Sequence, residues 1–352
     1  MGADEPLPLR EAVDSGSPAL VEQLLDAGVL GRYGRPELLE MRDRARHWYE
    51  AGAESELRRR TGSRDAVVRT RVQDDEYHGV DELTLGGMTV RDGHAAILTK
   101  LEELLGLRTP FEELMRRALL HGRDHSAWGT VTILLAHRRD RETWTAAEAL
   151  RTRPDPAHRL FGAEVLRLTR LFDESDEDAF AGPSLDVLTD WPARETDPAV
   201  LAEVLKALGA HSDPRADAVI LAHAGHHDAG VRREVANGFG TWTEPPGFSD
   251  EVREALLVLM TDPDARVRQG ACLTAGRDRG RDPVLADAMA ARLDDADRRV
   301  QVAAVYGLAR HEDERCVAAA RRLGPPRPGP NALDEEYSLD EARRYAWRRD
   351  GR

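Results

Sequence analysis

The chain has 352 residues, enough for two ordinary domains or one extended repeat array, with a substantial core in either case. Its 50 Lys and Arg stand against 64 Asp and Glu, a formal net charge of −14 that repels a polyanion unless positive charge is gathered locally, so a broad nucleic-acid surface is not expected. The two cysteines, Cys272 and Cys316, exclude a disulfide framework or a Cys-rich zinc site, and no apolar run approaches the roughly 20 residues of a membrane span.

The opening stretch MGADEPLPLREAVDSG is acidic and has no basic region ahead of an apolar core, so no secretory signal is expected and the location expected is cytoplasmic. Lysine occurs only at Lys100 and Lys206, and the arginine, alanine, glycine and proline bias is that of a GC-rich bacterial genome. At 8–29, PLREAVDSGSPALVEQLLDAGV reads as two short helices: Ala12 lies in the first, Gly16 ends it, and Val21, Leu24 and Leu25 line a second closed by Gly28. TPFEELMRRALLHGRDHSAWGTVTILLAHR at 109–138 repeats the plan with Ala118, Gly122, Val131, Leu134 and Leu135. GHAAILTKLEELLG at 93–106 matches the second helix of a further copy. These segments resemble diverged ankyrin repeats, which implies a helical-hairpin array over about 1–140. An inserted finger interrupts it, with a short β-hairpin near 70–92 turning at Gly86-Gly87. Ahead of the finger, LRRRTGSRDAVVRTR at 57–71 concentrates Arg58, Arg59, Arg60, Arg64, Arg69 and Arg71, either a solvated or partner-docking face or a contact for an anionic ligand.

From 141 the rule changes. An Asp, a short turn and a Val introduce a run of small apolar residues in DPAVLAEVLKALGA, HDAGVRREVANGFG, DPDARVRQGACLTAG and DADRRVQVAAVYGLA; Val200, Val231, Val267 and Val300 lie 31, 36 and 33 residues apart. An earlier copy, DPAHRLFGAEVLRL, puts His158 in the Val slot, and the acidic loop DESDED at 173–178 follows it. Apolar or small residues return at +4, +7 and +8, the spacing of one buried helical stripe, and the Asp ahead supplies an N-cap carboxylate. Second segments such as SDEVREALLVLM and PVLADAMAARL complete a helical hairpin that buries its apolar face only by stacking on neighbours. This pattern resembles the short bacterial form of HEAT repeats over 141–324, carried best by Asp264, Val267, Arg268 and Ala271 and by Asp228, Val231 and Arg232. Leu201 and Gln301 fill the Arg slot elsewhere, so an inter-repeat Asp–Arg ladder is expected to be incomplete. The expected fold class is all-α, an α-solenoid. Residues 325–352 read as a Pro-rich linker, GPPRPGPN, and a helix that either caps the last repeat or forms a tail, with Ser338 and Glu341 at capping-box spacing.

Candidate chemistry is sparse. His223 and His226 are three apart, near His211 and His227, but Gly225 interrupts the turn and no Cys accompanies them, so exposed loop histidines are expected rather than a metal site. His121, His125 and His137 fall around a turn and are read as turn packing. DESDED lacks the alternating ligands and central Gly of a calcium loop. No phosphate loop, nucleophile elbow or paired catalytic motif occurs, and no cofactor is implied. Trp144, Trp191 and Trp242 fall near helix ends, where they pack between repeats or line a groove similar to that of HEAT-like DNA glycosylases. The HEAT resemblance implies a concave surface lined by the Val-Arg helices. Positions +2 and +6 from the aligned Val then point away from the buried stripe, a ridge of Lys206, Arg233, Asn237, Gln269, Leu273 and Tyr306 with Ala202 and Val302. Its mixture of apolar, amide and cationic groups suits a protein or peptide partner better than a phosphate backbone. The leading expectation is a non-enzymatic interaction scaffold or adaptor; the alternatives are a HEAT-like glycosylase acting on alkylated bases and a toxin-neutralising or enzyme-regulating partner.

Overall fold

Gly16 adopts φ +70° after α1 (Leu9–Ser15), and a Cβ there would lie 1.9 Å from the Arg91 carbonyl oxygen, so glycine is required where the chain turns into α2 (Pro18–Asp26). The computed structural model describes residues 9–26, 33–173, 179–211, 213–239, 247–329 and 332–351. Within it α3 (Arg35–Ala51) and α5 (His94–Leu104) bring Leu38, Met41, Ala45, Ile97, Leu98 and Leu101 against Ala12, Val13, Val21 and Leu25 in one core. Gly28, read as the end of α2, lies outside the described residues.

Between α3 and α5 the chain forms α4 (Ala53–Thr61) and an antiparallel sheet of β1 (Val68–Gln73), β2 (Gly79–Leu85) and β3 (Met88–Arg91), in that order. Gly86 and Gly87, at φ +56° and +79°, make the two-residue turn of the expected hairpin. The finger is therefore three-stranded. β1 escapes a periodicity search because VRTRVQ is exposed at nearly every position and has no apolar alternation to read. α6 (Phe111–Leu119), α7 (Ser126–Arg138), α8 (Arg141–Ala149), a 3-10 turn (Leu150–Thr152) and α9 (Pro156–Leu171) follow.

The chain divides into two compact units, Met1–Phe172 and Asp173–Arg352. The change of repeat pattern near 140 thus precedes the structural division. α9 joins the first unit because Phe161 meets Trp128 (5.4 Å between ring centroids) and Phe111 (6.0 Å), while the Trp128 indole donates to Glu164 (3.1 Å). His158 in the Val slot is only half-buried, its Nδ1 3.0 Å from Asp155.

In the second unit the repeat grammar becomes packing. The helices are α10 (Ala181–Asp190), α11 (Pro198–Leu208), α12 (Pro214–Leu221), α13 (Ala229–Asn237), α14 (Asp250–Leu259), α15 (Ala265–Ala275), α16 (Pro283–Ala290), α17 (Arg298–Arg310), α18 (Arg315–Leu323) and α19 (Ala332–Arg349). Asp197, Asp228, Asp264 and Asp297 cap α11, α13, α15 and α17, each accepting a first-turn amide at 2.8 to 3.1 Å. The four aligned valines are all fully buried, as are Val204, Val235, Ala271 and Ala304 one turn later. α11, α13, α15 and α17 contact one another in turn as one layer, and α10, α12, α14 and α16 form the second. The second unit is an α-solenoid.

Arginines lace the first layer together. Arg232 donates through Nε and Nη2, one guanidinium edge, to Asp262 (2.7 and 2.9 Å), and its Nη1 reaches back to the His226 and His227 carbonyls. One repeat on, Arg268 repeats the pattern with Asp295 (2.9 and 2.7 Å) and the Asp262 and Pro263 carbonyls. Gln301, in the third Arg slot, keeps only the inward bond, to the Asp295 carbonyl (2.7 Å). The outward link comes instead from Arg298, which binds Glu335 at 3.2 Å together with the Leu323 and Pro325 carbonyls. The ladder expected to fail at Gln301 is thus completed from a neighbouring position, and it ties in α19, which lies against α17 as the fifth helix of the layer. α19 begins at Ala332, so Ser338 and Glu341 are mid-helix and buried, and the expected capping box does not form.

The Arg268 hydrogen bonds outweigh burial and hold Asp295 below the usual carboxylate range; burial pushes Asp262 up, but Arg232 and the Asp264 amide bring it below that range too. Arg268→Ala leaves a carboxylate only 5% exposed without its partner, and a loss of about 2–3 kcal/mol is expected in urea unfolding at pH 7. Because the folded pKa values are depressed, this stabilisation is complete above about pH 4 and disappears as pH falls through them; Arg268→Ala is expected to lose less stability than the parent on acidification below pH 4.

Candidate functional site

Four of the ridge residues converge. Gln269 and Leu273 on α15 and Tyr306 on α17 line one cavity of about 380 Å³, with Val302 and Ala303 in its floor and Tyr337 of α19 on the far side. The Tyr306 and Tyr337 rings lie 6.1 Å apart, tilted by 36°. Tyr306 is only 4% exposed, and burial raises its phenol above the ordinary range. The last rung of the ridge is therefore covered by the chain's own C-terminal helix rather than open along its length.

Charge is divided across the cavity. Arg266 is exposed and makes no ion pair among the described residues, whereas Arg299 is held by Asp297 at 3.2 Å. Asp334 faces them from α19, and Glu335 beside it is engaged by Arg298. Lys206, exposed on α11, and Arg233 and Asn237 on α13 lie one or two helices away and take no part in this cavity; Arg233 bonds Glu234 at 3.0 Å. Asn237 instead fills the space over Gly270, where a Cβ would come 2.5 Å from its Oδ1. Tyr337, Asp334 and Ser338 were not among the ridge residues legible in the repeats, because α19 carries no Asp-x-x-Val-Arg signature; the signal available was the aromatic and acidic content of LDEEYSLDE.

A family model described as HEAT repeats matches residues 219–309, from the end of α12 into α17. Residues 219–309 are HEAT-like repeats. The match does not extend into the first unit, and no curated protein matches the chain. Among solved structures, an X-ray structure of Escherichia coli YibA is similar at 15% identity and a TM-score of 0.47, covering 67% of this chain and 93% of that one, a likeness too loose to bear on function.

The remaining expectations fall into place individually. Arg58 pairs with Glu54 (2.9 Å), Arg59 and Arg60 with Glu56 (2.6 and 2.8 Å), and Arg69 and Arg71 with Asp81 (3.6 and 3.2 Å), so most of the 58–71 cluster is neutralised within its own unit. Arg59 leads the effects that hold Glu56 down at about 2. His226 accepts the Asp228 amide at 3.1 Å, and its ring lies 6.3 Å from that of His223. Trp144 is on α8; Trp191 is buried and its indole meets Glu195 at 3.2 Å; Trp242 and residues 174–178 lie outside the described residues. Cys272 and Cys316 are fully buried, which pushes both thiols up to about 12.

Among the described residues, Asp92, His121 and His125 are the one group whose ligand atoms all lie within 4.8 Å, a spacing that suits a zinc-class ion. Their hydrogen bonds decide against that use as they stand. His125 Nδ1 accepts the Ala127 amide (3.1 Å) and so caps α7, which places the ring proton on Nε2, 3.0 Å from Asp92. Binding an ion at Nε2 would break both the Asp92 bond and the cap. His121 stacks on His125 at 4.2 Å, and its Nδ1 lies 3.4 Å from the other Asp92 oxygen. His137 lies against Phe172 (4.8 Å).

His94, 2% exposed and stacked on Trp48 at 4.7 Å, has its pKa driven down to about 4 by burial, against the opposing Val13 carbonyl and the charges of Asp14 and Asp92. An unfolded chain takes up this proton near pH 6.5 and the native state does not, so stability falls as pH drops from about 6.5 to 4, by roughly 3 kcal/mol for the group. Chemical unfolding across that range is expected to show this slope in the parent chain and a flatter one in His94→Gln.

Proposed function

We propose that the protein is a non-enzymatic interaction scaffold whose C-terminal solenoid seats a polypeptide partner on the ridge face of α15, α17 and α19. The observation that carries this reading is the cavity itself, where Leu273, Val302, Tyr306 and Tyr337 offer an apolar and aromatic seat with Arg266 at its rim. An apolar side chain of the partner fits the floor, and an acidic neighbour fits Arg266. HEAT repeats generally mediate protein–protein interaction, which supports the class of partner. Lys206 and Asn237, both exposed, extend the surface along the same layer and supply polar contacts at its margin.

Leu273 is half-buried in the cavity wall, so Leu273→Glu places a charge in the seat without emptying the core. Affinity capture from a bacterial lysate with the parent chain and with Leu273→Glu, both verified as folded by circular dichroism, tests the reading. The expected outcome is a protein retained by the parent at physiological salt and lost by the variant, with affinity reduced at least about tenfold. Retention of nothing, or of the same proteins by both chains, would sink the proposal.

A further inference from the structure

α19 lies against α17 and α18 and buries Leu339 and Ala342, but its larger apolar side chains lie elsewhere on the helix. Leu333, Tyr337 and Trp347 are 79, 57 and 63% exposed. At 3.6 residues per turn these three fall within an arc of about 80°, roughly opposite Ala342, so they form one stripe along the helix. A solvated helix face carries polar side chains there, and a continuous apolar one marks a contact surface.

Charge runs along the same helix in two blocks. Asp334, Glu335 and Glu336 open it, and Arg343, Arg344, Arg348 and Arg349 fill its second half. Glu336 is exposed and makes no ion pair among the described residues, and Arg343, also exposed, makes a loose one with Asp340 at 3.8 Å. The helix dipole favours this order of charge but does not account for the apolar stripe.

We propose that this face pairs two copies of the chain through α19, the helices antiparallel about a two-fold axis near Asp340. A two-fold contact must be self-complementary: if residue i of one copy meets j of the other, j meets i. Leu333 and Trp347 stand equally far to either side of Asp340, so each meets the other across the axis. In the same register Glu336 comes opposite Arg343 and Arg344, and the acidic half of each helix lies along the basic half of its partner. A parallel pairing sets like charges side by side and is disfavoured for that reason. The two Asp340 carboxylates approach the axis, and each is already bridged by Arg344 of its own helix at 2.8 Å. Only Tyr337 is shared with the apolar cavity described above, and the pairing does not require a polypeptide to occupy that cavity.

Sedimentation equilibrium of the full chain at physiological ionic strength, from about 1 to 100 µM, tests the pairing. A reversible dimer is expected, weakened at least about tenfold by each of Trp347→Glu, Glu336→Arg and Arg343→Glu. The two charge variants form a diagnostic pair. Either alone sets like charges across the axis, whereas an equal mixture restores opposite charges at both contacts and is expected to recover the parent's affinity. Circular dichroism melting verifies that the variants, all at exposed positions, keep the parent's fold. A monomer mass across the whole range leaves the stripe to another occupant and overturns the proposal. A dimer that survives Trp347→Glu, or a mixture of the charge variants that stays monomeric, overturns it equally.

Discussion

The bidentate arginine–aspartate link between successive helices is the constraint on which the C-terminal unit is built. A helical hairpin of this size buries one face only, and its neighbours must approach at a fixed spacing to bury the other. Apolar packing by Val231, Val267 and Val300 supplies the drive for stacking but is tolerant of sliding. The guanidinium fork is not: it requires Asp262 two residues ahead of the cap Asp264, and Asp295 two ahead of Asp297, with the intervening carbonyls turned inward. Each link thereby fixes the loop that starts the next helix as well as the distance between helices. Close contact at the other end of the layer has the same effect, since a Cβ on Gly276 would lie 2.7 Å from the Gly307 Cα.

Two populations of arginine follow from this architecture. The ladder arginines are half-buried, paired and held in the charged state by their aspartates, so they are unavailable to a ligand. The arginines of α4 and β1 are in a similar position on an exposed face. Arginines outside both sets are the ones not held by these carboxylates, and net charge alone is a poor guide to where those are. A strongly acidic chain still presents Arg266 beside an apolar cavity.

How much of this was legible in the sequence depends on whether a residue repeats. The capping aspartates, the aligned valines and the two-layer stacking recur every 31 to 36 residues, and periodicity exposed them all. Asp262 and Asp295 recur as well, but they look redundant beside the cap aspartates until a side chain is seen to reach them. The link at Gln301 was misread because a repeat alignment compares like positions, while Arg298 substitutes from three residues earlier. β1 and α19 occur once, so no period marks them. Tyr306 was legible as a ridge position, but its burial was not, since that depends on α19.

α19 has a double role that couples stability to recognition. It is the fifth helix of the layer and a wall of two cavities, through Tyr337 in one and Arg348 in the other. Yet its buried apolar residues are only Leu339 and Ala342, against Val300, Val302, Ala303, Ala304, Val305 and Leu308 among those on α17. With so little apolar burial, α19 depends on the Arg298–Glu335 link for a correspondingly larger share of its attachment. The same helix thus places Tyr337 in the apolar cavity and Arg348 in the arginine-lined one.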